Sequence, residues 1–192
     1  MKRILDLSLR ELLEQASGEA PTPGAGSVAA LTAALAAGLT EMSARASGRW
    51  GEAASVCAQA TVLRERLEEL APANDEAYEH ALAALHLPSE LDPDTRNQLI
   101  GESLERAAAV PLAITEAASD VADLAAYVAE EGDPRVRPDA ASAALLALGA
   151  ARAAAHLVEI NLGVRERDER LLQAQRLAAD AAAAAARSLA PA

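Results

Sequence analysis

Pro21-Thr-Pro-Gly-Ala-Gly-Ser27, running straight into Val28-Ala-Ala-Leu-Thr-Ala-Ala-Leu-Ala-Ala-Gly-Leu39, is the stretch on which the fold turns. Two prolines and two glycines make a stiff corner, and Ser27 then stands where a helix must begin. Serine is a preferred N-cap because its oxygen accepts an amide hydrogen that the first turn leaves unpaired. Beyond it almost nothing is polar until Thr40, Glu41 and Arg45. A helix that is apolar on every side is buried on every side. The stretch therefore predicts the central rod of an all-α domain, with its N-terminal amides presented to a cleft.

The corner imitates another signal. Gly24-Ala-Gly-Ser-Val-Ala29 fits the dinucleotide fingerprint with alanine in the last place. That fingerprint has meaning only after a strand and inside a βαβ unit. Here Ser8 to Ser17 reads as a helix, and no alternating apolar run follows. No Lys-Ser or Lys-Thr follows the glycines, so a phosphate loop is excluded as well.

Composition narrows the class. One domain is the default for 192 residues, and the chain is long enough for a proper core. Hydrophobic residues make up 52%, yet aromatics only 2% and phenylalanine is absent, so much of the apolar content is alanine. Alanine has the highest helix propensity and lets helix axes approach to about 8 Å. Large apolar anchors are few, which predicts a homodimer or larger homo-oligomer joined through an apolar helix face. The net charge of −12 speaks against nucleic acid and against an anionic membrane surface as partners. Cys57 is the single cysteine, so no intrachain disulfide can form, and it reads as a small core residue. Met1 to Arg10 does not read as a signal peptide, and the apolar run Val28 to Leu39 is shorter than the about 20 residues that span a bilayer. The expectation is a soluble, cytoplasmic protein.

Outside the corner the chain divides into helices by its caps. Ser8-Leu-Arg-Glu11 is a capping box, and Gly18 ends the helix it opens. A third helix is expected from Glu52 to Leu70, stopped by Pro72. A fourth begins at Asn74 or Asp75 and ends before Pro88. Asp92-Pro93 opens a fifth that runs to Glu131, bent or broken at Pro111. Asp139 opens a sixth to about Gly163, and the last runs from about Arg165 to Leu189. Seven helices around the central one is the expectation.

With these residues placed, the chain resembles the cyclodeaminase/cyclohydrolase family of folate enzymes. The likeness rests on Pro21-Thr-Pro-Gly-Ala-Gly-Ser-Val-Ala-Ala30, which is similar to that family's Pro-Gly-Gly-Gly-Ser-Val-Ala-Ala signature. It continues through Ala77-Tyr78, Ala107-Ala-Ala-Val-Pro-Leu112, the Gly-x-Pro loop before Asp139, and Ile160-Asn-Leu162. Ala25, Asn74, Asp133 and Leu157 depart from the pattern: the family has glycine, often aspartate, asparagine and asparagine there.

The resemblance implies chemistry on a one-carbon unit carried by tetrahydrofolate. Either N10 attacks the formimino carbon on N5 and ammonia leaves, or water adds to the 5,10-methenyl carbon and opens the ring. Both pass through cationic amidinium states, so carboxylates serve to stabilise charge and to move protons. No metal and no cofactor beyond the folate substrate is implied. The candidate catalytic groups are Asp139 and Glu41, with Asp75 or Glu76 behind them. The candidate substrate contacts are Pro23, Gly24, Gly26 and Ser27 at the corner, Asn161 as an orienting amide, and Arg45 and Arg137, with Arg49 and Arg135, for the tail carboxylates. Trp50 or Tyr78 offers a surface on which the pterin stacks. His80, His86 and His156 have no metal-ligand spacing. A second reading keeps this scaffold without catalysis, as a helical homodimer that binds a small ligand or a protein partner.

Overall fold

The computed structural model describes residues 3–20, 22–88, 91–163 and 168–190. Pro21, the first residue of the corner, and Arg165, the expected start of the last helix, lie outside them. The described residues form α1 (Leu9–Ala16), α2 (Ala25–Ala46), α3 (Ala53–Leu85), α4 (Pro93–Glu131), α5 (Arg137–Leu162) and α6 (Glu169–Ser188), with short 3₁₀ turns at Ile4–Asp6 and Pro134–Val136 and no strand.

The caps behave as their chemistry dictates. The Ser8 hydroxyl accepts from the amide of Glu11 at 3.2 Å, and the Glu11 carboxylate accepts from the amide of Ser8 at 2.7 Å. Asp92 takes the amide of Thr95 at 3.0 Å, with Pro93 as the first helical residue. Asp168 does the same for α6, accepting from Arg170 at 3.0 Å. Two expected caps are corrected. Gly24, not Ser27, precedes α2 and offers no side-chain cap, so Ser27 sits inside the first turn. Val136 precedes α5, and Asp139 lies in its first turn, where a carboxylate meets the positive end of the helix dipole.

Neither proline stops its helix. The expected third and fourth helices are one, α3, which passes through Pro72, and α4 passes through Pro111. An internal proline removes one hydrogen bond and crowds the carbonyl four residues earlier. Packing on both sides holds each helix in register: Leu67, Ala71 and Asn74 around Pro72, and Ala107, Ala108, Ile114 and Thr115 around Pro111, are buried.

The helices run up and down. The Ser27 end of α2 lies against Ala71 of α3, and the Asn161 end of α5 lies against Ala107 of α4. Past the level of Asp75, α3 continues for ten residues, about 15 Å at about 1.5 Å per residue. The start of α4 accompanies it, and the Ser103 hydroxyl of α4 donates to the His80 carbonyl of α3 at 3.3 Å. This helical hairpin overhangs the α2 corner. The core beneath is alanine set around a few larger groups, among them Leu67, Ile114, Val121 and Leu162. Several of its polar members bond to the backbone: Thr40 to Ala36, Thr115 to Pro111, and Ser119 to Leu177 across to α6.

The expectation that α2 is buried all round fails on one side. Val28, Leu35 and Met42, spaced by seven residues, are exposed, Leu35 to 73%. The helices themselves are longer than the short apolar run on which the membrane argument rests. Ala25–Ala46 and Pro134–Leu162 are each long and apolar enough to cross a membrane, although half of each such window is buried inside the bundle.

Alanine at the fully buried Ala118 leaves no room for branching, so Ala118→Leu is expected to cost about 1–3 kcal/mol, read from chemical denaturation of the two proteins.

Candidate functional site

The corner of α2 opens on a cavity of about 290 Å³ lined by Gly24, Ala25, Gly26, Asn74, Asp75, Tyr78, Ala107, Pro111, Leu157, Ile160 and Asn161. Four helices contribute, so the site exists only in the folded bundle. Its walls are mostly apolar; the polar groups are two amides, one carboxylate and the phenol of Tyr78.

Ser27 is the link between the two helices that hold the carboxylate. Its hydroxyl lies 2.6 Å from Asp75 Oδ1 and 2.8 Å from the Ala71 carbonyl oxygen, and it is fully buried. One proton faces two acceptors. The charged oxygen is the stronger of the two, since hydrogen bonds to ionised acceptors are shorter and stronger than neutral ones. Asp75 Oδ1 also takes the Gly24 amide at 3.4 Å. The carboxylate thus sits at the positive end of the α2 dipole, which favours negative charge there.

Gly26 is required by space. A Cβ on Gly26 would fall 2.2 Å from Asn74 Oδ1 and 2.4 Å from Asn74 Cγ. Asn74 is only 8% exposed, and its amide nitrogen lies 3.5 Å from the Ser27 hydroxyl oxygen. Bare backbone at Gly26 is what lets α3 come close enough for Asp75 to reach Ser27.

The opposite wall shows why α4 carries a proline. Pro111 has no amide hydrogen, so the carbonyl of Ala107 lacks its usual helical donor. Asn161 Nδ2 donates to that carbonyl at 3.3 Å. A side chain of α5 therefore mends the gap in α4, and Pro111, Ala107 and Asn161 meet at the cavity for that reason. Asn161 was singled out from its motif; its partner was not legible, because an i−4 carbonyl freed by proline can be satisfied from any neighbouring helix.

Sequence-predicted residues fall into two groups. Gly24, Gly26, Ser27, Asp75 and Asn161 come together at this cavity with Tyr78, and Pro23 immediately precedes them, after a cis Thr22–Pro23 bond. Glu41, Arg45, Arg137 and Asp139 do not join them. Arg45 is 18 residues beyond Ser27 on α2, about 27 Å along the axis. There Glu41 pairs with Arg45 and lies 3.6 Å from Arg64. Arg137 donates to the Ala190 carbonyl, and Asp139 is exposed.

That far end holds a second hollow, of about 740 Å³, between Ala46–Trp50 and Glu131–Arg135. Ser47 ties it together, accepting from the Asp133 amide at 2.8 Å and donating to the Ser43 carbonyl at 2.9 Å. Hydrogen bonds from the Arg135 guanidinium, then from its amide, hold the Asp133 carboxyl down to about 2. Trp50 meets Tyr127 edge to face, with centroids 5.1 Å apart, so Tyr78 is the aromatic that faces the corner cavity. Sequence reasoning missed Asn74 as a wall of the site. Its signal was a place four residues before Tyr78 on the same helix face.

The chain is similar to known proteins from end to end. The family model Formiminotransferase-cyclodeaminase matches residues 8–186. A methenyltetrahydrofolate cyclohydrolase of Methylorubrum extorquens is 32% identical over 189 residues, covering 92% of this chain and 91% of that one. A formimidoyltransferase-cyclodeaminase of Sus scrofa is 34% identical over 124 residues, 59% of this chain and 23% of the larger protein. The crystal structure of formiminotetrahydrofolate cyclodeaminase from Thermotoga maritima shares the fold, with a TM-score of 0.86 over 96% of this chain and 95% of that one at 24% identity.

Gly26→Ala tests the close approach directly. The added methyl must push Asn74 toward the cavity, and overpacking of about 1–3 kcal/mol outweighs the roughly 1 kcal/mol that alanine gains over glycine in a helix. The expected result is a lower melting temperature, with Asn74 displaced in a structure of the variant.

Proposed function

Because the chain belongs to the formiminotransferase-cyclodeaminase family, we propose that the α2 corner cavity is the active site of a folate one-carbon enzyme that hydrolyses 5,10-methenyltetrahydrofolate. The observation that carries the reading is the placement of Asp75. Among the described residues it is the one carboxylate lining this mostly apolar cavity, bonded to Ser27 and to the start of α2. A cationic methenyl carbon is drawn to such a group. The end-to-end likeness to a cyclohydrolase supports hydrolysis over deamination.

In the proposed reaction a water oxygen bonds to the methenyl carbon while Asp75 takes one of its protons. The C–N5 bond then breaks, that proton passes to N5, and the carbon remains on N10 as a formyl group. The second water proton leaves to solvent, since a cationic substrate has become a neutral amide. Ser27 donates to Asp75 and fixes the direction of its lone pairs, so it is a positioning residue. Tyr78 supplies the face for the pterin, and the chemistry draws on no cofactor beyond substrate, water and these side chains. Asp139 and Glu41 are given no part in it, because both lie near the opposite end of the bundle.

The same proposal includes a soluble, cytoplasmic homodimer with neither nucleic acid nor membrane as partner. Two copies would meet through the exposed Val28, Leu35 and Met42 stripe of α2, which runs about 21 Å along one face.

Purified protein is expected to bleach 5,10-methenyltetrahydrofolate faster than buffer does. Asp75→Asn is expected to lower kcat about a hundredfold or more while leaving the melting temperature within a few degrees. Ammonia release from the 5-formimino compound, with no effect on the methenyl compound, would transfer the assignment to cyclodeamination; inertness toward both would leave a non-catalytic scaffold. Sedimentation is expected to give a dimer for the parent chain and a monomer for Leu35→Glu. A monomeric parent would refute the dimer.

A further inference from the structure

The two prolines inside helices meet different surroundings. Pro72 takes the helical donor from the carbonyl of Glu68, four residues earlier in α3, and among the described residues no side chain donates to that carbonyl. Glu68 is half-buried, within reach of water. Pro111 does the same to the carbonyl of Ala107, a buried residue, and there Asn161 Nδ2 donates from α5 at 3.3 Å. A carbonyl oxygen can only accept. The Asn161 amide must therefore turn its nitrogen to Ala107 and its oxygen away.

That oxygen is not engaged elsewhere. Among the described residues Asn161 Oδ1 takes no hydrogen bond, and Arg96 Nε is the one sealed side-chain nitrogen or oxygen that lacks a partner. Asn161 is half-buried, so its Oδ1 is open, and the space that Asn161 lines is the corner cavity. The other α4 and α5 residues there are Ala107, Pro111, Leu157 and Ile160, none with a polar side chain. A ligand that fills the cavity thus meets a single side-chain acceptor on this wall, held by Ala107, while Asp75 stands on the α3 wall.

Resting on the folate reading above, we infer that Asn161 is a specificity-determining residue whose Oδ1 accepts from the 2-amino group of the pterin, and that Pro111 is the positioning residue behind it. In the pterin the 2-amino nitrogen and N5 lie at opposite ends of the pyrimidine ring, about 5.5 Å apart, counting bonds of about 1.3–1.5 Å. A ring whose N5 faces Asp75 on α3 carries its amino hydrogens toward the α4–α5 wall. Against Ala107, Pro111, Leu157 and Ile160 alone, those hydrogens would lose water without gaining a partner. A residue with an amide hydrogen in place of Pro111 would fill the Ala107 carbonyl and release the Asn161 amide to rotate. Such recognition holds ground state and transition state alike, so its loss appears in KM and not in kcat.

The test is steady-state kinetics on the full chain with the methenyl or formimino folate that the parent protein turns over, and with its analogue carrying methyl in place of the 2-amino group. Asn161→Ala is expected to raise KM for the amino substrate about threefold to tenfold at unchanged kcat, the range of one hydrogen bond. Pro111→Ala is expected to raise it about twofold to threefold, since the acceptor is loosened and not removed. The double variant is expected to match Asn161→Ala alone, because a residue that acts through Asn161 has nothing to act on once the amide is gone. With the methyl analogue Asn161→Ala is expected to match the parent. A KM unmoved in Asn161→Ala, or a rise that persists with the analogue, overturns the inference and leaves the folate reading intact. Effects that multiply in the double variant overturn the part given to Pro111. Should Pro111→Ala not fold, Asn161→Ala with the two compounds decides the role of the amide. A parent protein that neither turns over nor binds the amino substrate overturns both readings.

Discussion

Everything at the corner depends on α3 meeting α2 at Gly26, where α2 puts no side chain in the way. The contact is a steric constraint before it is a chemical one. Bare backbone at Gly26 accepts the buried amide of Asn74, and that proximity sets Ser27 between the Ala71 carbonyl and the Asp75 carboxylate. The start of α2 has no side-chain cap; among its amides, that of Gly24 has the Asp75 carboxylate of a neighbouring helix 3.4 Å away. A helix end that stays open to a partner from elsewhere in the fold is a place where function can be built.

Alanine serves the same end over the rest of the bundle. Residues such as Ala30, Ala33, Ala118, Ala147 and Ala151 are fully buried, and side chains this small allow helix axes to approach closely. Helix–helix hydrogen bonds then become possible from short side chains. Ser119 reaches Leu177, Ser47 reaches Asp133, and Asn161 reaches Ala107, each spanning a gap that larger residues would have widened. The far hollow is built by the same means as the corner, yet its charges neutralise one another through Asp133 and Arg135.

Helix class, most helix ends and the corner itself were legible in the sequence because they are local. Capping at Ser8 and Asp92 depends on three or four consecutive residues, and the structure keeps both. Pro72 read as a stop and is not one, and Pro111 does not break its helix, for the opposite reason. A proline's penalty is local, but the packing and the Asn161 amide that offset it come from other helices. Ser27 looked like a cap because the residues before it break helices, whereas Gly24 already lets the chain turn. Which candidate carboxylates share a place was legible only in three dimensions: Asp139 and Glu41 ranked ahead of Asp75 along the chain, and the fold brings Asp75 alone of the three to the corner cavity. The exposed face of α2 escaped notice because leucines and alanines are alike to a pattern that asks only whether a residue is apolar.

The lining of the corner cavity has a consequence for how its selectivity can change over time. On the α2 and α4 side the walls are Gly24, Ala25, Gly26, Ala107 and Pro111, residues already trimmed to backbone, a methyl group or a ring. At Gly24 and Gly26 substitution can only narrow the opening, and Ala25 and Ala107 have no more than a methyl group to give up. Leu157, Ile160 and Tyr78 are the side chains large enough to be cut back, so any drift toward bulkier ring systems must begin on α5 and the upper half of α3. The hollow is adjustable from one flank alone, and the other acts as a fixed gauge against which every variant is measured.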